Sequence, residues 1–153
     1  MNSFDRRVVV IVAILFLLLS CATTKDITDN SILRGNYRKG LVLKIKSDIL
    51  LDEYNYLWDL PRDIEKAKQY GFSDDYKGFV REGTKLIILR IELYQHIENG
   101  NYIYPMALIL NGQWKGEKVN LHYTSRSSDS PHNASYHIDI LDVDPEVFEI
   151  VNE

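Results

Sequence analysis

Residues 84–112, TKLIILRIELYQHIENGNYIYPMALILNG, carry the reading that decides the fold. Apolar and polar side chains alternate along the first half. Ile87, Leu89, Ile91, Leu93 and Ile97 fall on one face, and Arg90, Glu92, His96 and Glu98 on the other. A period of two marks a strand. Asn99-Gly100 follows, and both residues tolerate positive φ, as a type I′ hairpin turn requires. A return strand runs from Asn101 to Leu110. It contains Pro105, which cannot donate a ladder hydrogen bond, so an edge position or a bulge is expected there. Asn111-Gly112 signals a second hairpin, with Lys115-Gly116 as a competing turn. Val119, Leu121 and Tyr123 alternate on the next strand. The expected unit is a three-stranded antiparallel meander.

Outward from this unit the pattern stays short and strand-like. Leu41, Leu43 and Ile45 share a face opposite Lys44 and Lys46. Ser47-Asp48 offers a turn before the apolar Ile49-Leu50-Leu51. Tyr54, Tyr56 and Trp58 alternate with Asn55 and Leu57. One helix is expected next, capped by Asp59, with Pro61 in its first turn and Gly71 at its end. Thr124 to Ser135 holds five serines and Pro131 and reads as a solvated loop. His137 to Leu141 reads as a last short strand. Asp144-Pro145-Glu146 opens a terminal helical turn that lets Val147, Phe148, Ile150 and Val151 pack.

The fold class is therefore mainly β: a small antiparallel sheet or barrel with one or two short helices. Its strand count and turn spacing resemble the SH3-like barrels of bacterial envelope proteins.

The bulk numbers exclude several functions. The 153 residues fit a single domain with some extra at an end. The formal charge is −4. Nucleic-acid binding needs a surplus of Lys and Arg, so a nucleic-acid partner is not expected. There is one cysteine, Cys21, so neither an intramolecular disulfide nor a multi-cysteine metal site can form.

The N-terminus has three zones. Arg6 and Arg7 make a positive start. Val8 to Leu19 is an unbroken run of twelve apolar residues. As a helix it spans roughly 18 Å, short of a hydrocarbon core of about 30 Å. That length suits the core of a signal peptide. Leu18-Leu19-Ser20-Cys21 closes the run and resembles the lipobox of bacterial lipoproteins. The resemblance covers residues 1–21, and it uses the chain's one cysteine at the position the motif requires. It implies cleavage before Cys21, a diacylglycerol on the Cys21 sulfur, and a further acyl group, such as palmitate, on the new amino terminus. Several acyl chains anchor firmly, since each buried CH₂ contributes roughly 0.8 kcal/mol. Cleavage would remove Asp5, Arg6 and Arg7, two of the 18 basic and one of the 22 acidic side chains, leaving −5. Ala22 stands where an Asp marks inner-membrane retention in Gram-negative relatives. The resemblance then implies an outer-membrane lipoprotein facing the periplasm, if the host is Gram-negative. Residues 21–36 are mostly polar and are expected to form a flexible tether, with the folded domain over 37–153.

No catalytic set is expected. His132 and His137 lie near Asp129 and Asp139, but no spacing matches a metal-ligand pattern. Asp142-Val143-Asp144 lacks the Gly and later Glu of a calcium loop. Paired acids such as Asp52-Glu53 and Asp74-Asp75 read as solvated turn residues. No Gly-x-Ser-x-Gly and no phosphate loop occur. Neither a metal nor a cofactor is implied.

Among the aromatics, Tyr102 and Tyr104 share a strand face with Met106, Leu108 and Leu110 and are expected in the core. Trp114, between two glycine turns, is the candidate partner contact. The expected function is a membrane-anchored, non-enzymatic binding domain for an envelope protein or a cell-wall polymer. The alternative is an inhibitor or immunity-type lipoprotein that blocks a wall-degrading or toxic enzyme through the loop from Thr124 to Ser135.

Overall fold

The structure is a computed structural model and describes residues 22–59, 76–96, 100–128 and 140–151. The expected leader, Cys21, the helix expected after Asp59, and residues 129–139 with His132 and His137 lie outside the described residues.

The described chain is mainly β. Its strands are β1 (Thr23–Asp26), β2 (Val42–Ile45), β3 (Ile49–Asp52), β4 (Leu57–Trp58), β5 (Tyr76–Val80) and β6 (Lys85–His96). β7 (Gly100–Ile109), β8 (Lys118–Asn120), β9 (Ser125–Ser128), β10 (Ile140–Val143) and β11 (Phe148–Val151) complete the set. The main sheet has the order β11-β2-β6-β7-β8, and β1 pairs with the far half of β6. β4-β3-β5 and β10-β9 form two smaller sheets. Each of these strand pairs is antiparallel.

The β6–β7–β8 meander is present, but not with a two-residue Asn99-Gly100 turn. Gly100 belongs to β7 and pairs with His96, Asn101 pairs with Gln95, and residues 97–99 lie outside the described residues. Gly112 and Gly116, at φ +82° and +92°, both serve the β7–β8 turn, and Gly116 N–H donates to Ile109 O at 2.9 Å. Each takes a left-handed conformation that costs a glycine little.

The faces of β6 differ from the sequence reading. Leu86 and Ile88 are buried before a register shift, and Ile91 and Leu93 after it. The shift lies between Ile88 and Arg90. An extra residue reverses the parity of everything beyond it. Ile87 and Leu89 therefore leave the core face that Ile91 and Leu93 occupy. Pro105 pairs with Ile91, and its carbonyl accepts from Leu121 N–H at 2.9 Å, where β8 stops. The missing donor thus falls at the end of a ladder, as an edge position requires.

The core takes buried side chains from the main sheet, from the β4-β3-β5 sheet and from β10. Leu43, Ile45, Ile49, Leu51, Leu57 and Leu86 are among its fully buried side chains. Each such burial stabilises by about 1.5–3 kcal/mol.

Three segments correct the sequence reading. Residues 22–36 are built into the fold. β1 pairs with β6, Ile27 is buried, and Ile27 N–H donates to Ile91 O at 2.9 Å. Ile91 N–H in turn donates to Thr28 Oγ1 at 3.0 Å. Asn36 closes the segment onto β10: its N–H donates to Asp142 Oδ1, and its Oδ1 accepts from Val143 N–H. The side chains of β1 are exposed, so its attachment runs through the backbone.

The C-terminal segment makes one turn and then a strand. Asp144 Oδ1 accepts from Glu146 N–H at 2.8 Å, as expected of a cap. From Phe148 the chain extends along β2, with Phe148 opposite Ile45. The β-branched Ile150 and Val151 suit that extended edge. The start of the expected serine loop is also a strand, β9. Beside it Thr124 is buried, and Ser125 Oγ lies 2.7 Å from the hydroxyl of the fully buried Tyr37.

Candidate functional site

Seven rings meet on the outer face of the main sheet: Tyr56, Trp58, Tyr94, Tyr102, Tyr104, His122 and Tyr123. They come from four separate stretches of chain. β7 supplies Tyr102 and Tyr104, because Ile103, Ala107 and Ile109 take the opposite face into the core. These two tyrosines share a face with Met106 and Leu108, but that face is the outer one and not the core. β6 supplies Tyr94, directly opposite Tyr102 across the ladder.

Asp52 positions the next pair. It is 5% exposed, and Oδ1 accepts from the N–H groups of Tyr54 (2.9 Å) and Tyr56 (2.8 Å). Oδ2 accepts from Trp58 Nε1 at 2.9 Å. Three bonds to one carboxylate fix the reversal between β3 and β4. Asn55, at φ 67°, completes that reversal, and its carbonyl accepts from Asn120 N–H at 2.8 Å. Tyr56 is thereby set beside β8.

The last pair comes from the 3₁₀ turn His122–Thr124. Alternation along Val119, Leu121 and Tyr123 predicts a strand through Tyr123. The turn ends the strand after Asn120 and leaves Tyr123 41% exposed. His122 Nδ1 lies 2.9 Å from Ile103 O, so the imidazole covers a β7 carbonyl beyond the end of β8.

The rings pack on one another in specific ways. Trp58 and Tyr123 are stacked, 3.7 Å between centroids at 13°. His122 meets Tyr104 edge-on at 5.3 Å and Tyr123 at 4.9 Å. Such pairs contribute about 0.5–1.5 kcal/mol beyond their buried area. The Tyr56 and Tyr104 hydroxyls hydrogen-bond to each other. Burial pushes the Tyr104 hydroxyl well above its ordinary range, and the neighbouring Tyr56 adds to this. Burial raises Tyr56 as well, partly offset by the bond to Tyr104. Both phenols are neutral at physiological pH. The face is thus apolar in its ring surfaces and hydrogen-bonding at its hydroxyl rims.

Trp114, the candidate contact from sequence, sits elsewhere. It lies in the β7–β8 turn, half-buried against the core, and its Nε1 donates to Phe79 O at 3.1 Å. Its indole edge also lies against Gly78, where an added Cβ would be 3.2 Å from Cζ2. The indole ties β5 to the turn. Among the described residues no group of three His, Cys, Asp or Glu side chains converges to hold a metal ion. Asp52 is engaged by the β3–β4 reversal, and Asp142 and Asp144 by backbone N–H groups.

No family model, curated protein or solved structure matches the chain. The functional reading therefore rests on the residues themselves.

Proposed function

We propose that the chain is the precursor of a bacterial lipoprotein and that its mature part is a non-enzymatic binding domain, held at an envelope membrane through acylated Cys21. Leu18-Leu19-Ser20-Cys21, after a twelve-residue apolar run, supports the anchor. Among the described residues no helix is long and apolar enough to cross a membrane. The observation that carries the binding role is the seven-ring outer face. Tyr and Trp are enriched among residues that dominate protein–protein affinity, because they combine large apolar area with a polar handle.

The partner is an envelope protein, received at the Trp58, Tyr123 and Tyr56 end of this face. The test compares wild-type lipoprotein with Tyr123→Ala, both used to capture partners from the envelope of the native host. One defined protein retained by the wild type and lost from the variant is the expected result. Equal sedimentation of both forms with purified peptidoglycan, and no protein lost, would overturn the reading. A captured wall-degrading enzyme that loses activity in the complex would make inhibition the purpose of the binding.

A further inference from the structure

The chain enters the sheet almost at once after the cysteine. Thr23 lies opposite Gln95, Thr24 opposite Tyr94, and Tyr94 opposite Tyr102. Behind β1, the bonds of Ile27, Thr28 and Asn36 hold the segment to β6 and β10. No slack is left between residue 23 and the domain. Two residues of chain span at most about 7 Å, so the Cys21 Cα lies within that distance of the Thr23 Cα whatever the path of Ala22. The headgroup layer on each side of a bilayer is roughly 5–8 Å deep.

We propose, resting on the lipoprotein reading above, that the His96/Gly100 end of the β6–β7 hairpin lies on the bilayer that holds the acyl chains, with Tyr94 and Tyr102 as its interfacial contacts. The occupant of this end is the headgroup layer, because the anchor emerges beside it on a rigid strand. A tether this short keeps the His96/Gly100 end near the surface. Tyrosine suits the position: its ring lies at headgroup depth and its hydroxyl reaches water or phosphate. Tyr102 is 37% exposed, so it has ring surface to offer. From Gly100, β7 runs away from this end to Ile109, about 30 Å at strand rise. The Gly112–Gly116 turn is thereby held far from the membrane. Trp58 and Tyr123 lie further along the ring face than Tyr102, where a partner can reach them.

Acylation consumes the sulfur of Cys21, so one introduced cysteine gives the mature lipoprotein a single thiol. Tyr102→Cys, Gln95→Cys and Lys115→Cys would each carry an environment-sensitive fluorophore, in full-length acylated protein reconstituted into phosphatidylcholine vesicles. A nitroxide lipid in the bilayer is the quencher. Quenching several-fold stronger at residues 95 and 102 than at 115 is the expected result. Equal quenching at all three sites, or stronger quenching at 115, would overturn the orientation. Gln95 is exposed, so that variant carries the test if Tyr102→Cys fails to fold. Intact mass separates the two levels. Acyl groups present with equal quenching defeats the orientation alone, whereas a bare Cys21 defeats the lipoprotein reading and the orientation with it.

Discussion

Trp58 Nε1 donates to Asp52 Oδ2 across the β3–β4 reversal, at 2.9 Å, from a ring stacked on Tyr123 to a carboxylate buried in the fold. One contact therefore joins the core to the outer ring face. Asp52→Ala removes the acceptor of three N–H donors and should lower stability by roughly 2–4 kcal/mol. Asp52→Asn keeps the shape but replaces one acceptor with a donor, and should fall between the two. Urea unfolding followed by tryptophan fluorescence measures both.

β1 separates a flexible linker from a structural strand. Lys25 has the strand parity of Ile27, whose N–H donates to Ile91 O. Lys25→Pro should remove a ladder donor and cost about 1–3 kcal/mol in urea unfolding. A flexible linker would accept that proline without loss.

Gly35 and Gly40 make a controlled pair. Both have positive φ, +56° and +82°. A Cβ on Gly35 would lie 2.3 Å from Leu141 O, whereas Gly40 has nothing within 4 Å. Gly40→Ala should cost about 1 kcal/mol from backbone strain alone. Gly35→Ala should cost clearly more, because the segment before Tyr37 must move away from β10. Thermal unfolding of the two variants side by side makes the comparison.

The raised hydroxyls of Tyr104, Tyr56 and Tyr37 set an alkaline limit. For each, burial is the first cause, and the ordinary value is 10.0. The folded state keeps protons that the unfolded chain releases above pH 10. The stabilisation is thus fully present below that pH and is lost as pH rises further. The urea midpoint should be flat from pH 7 to 9 and fall above 10, with the phenolate absorbance of these three tyrosines appearing only as the protein unfolds. Phenolate absorbance from all the tyrosines near pH 10 in the folded protein would contradict the burial argument.

The meander was legible in the sequence because alternation and the Asn111-Gly112 and Lys115-Gly116 turn signals agree on it, whereas the Asn99-Gly100 signal misplaced the first reversal: Gly100 already pairs with His96 in β7. The choice of faces was less so. In β7 both faces are apolar, Ile103, Ala107 and Ile109 against Tyr102, Tyr104 and Met106, so hydrophobicity gives no contrast. In β6 a single extra residue near Leu89 reverses the parity, and no glycine or proline marks it. β1 was hidden because its four residues are polar and attach through the backbone, a contribution that side-chain pattern does not report. The ring face was hidden for another reason. Its members lie at 56–58, 94, 102–104 and 122–123, and only the strand order brings them together. The Asp52 anchor could be suspected from an aspartate just before a turn, but its bond to Trp58 could not.

Intact mass spectrometry of the protein extracted from host membranes decides whether Cys21 carries the lipid anchor. The expected species is a polypeptide that begins at residue 21 and carries diacylglycerol on Cys21, with or without a further acyl group. A chain that still bears residues 1–20, or one that begins at 21 with an unmodified thiol, would contradict it.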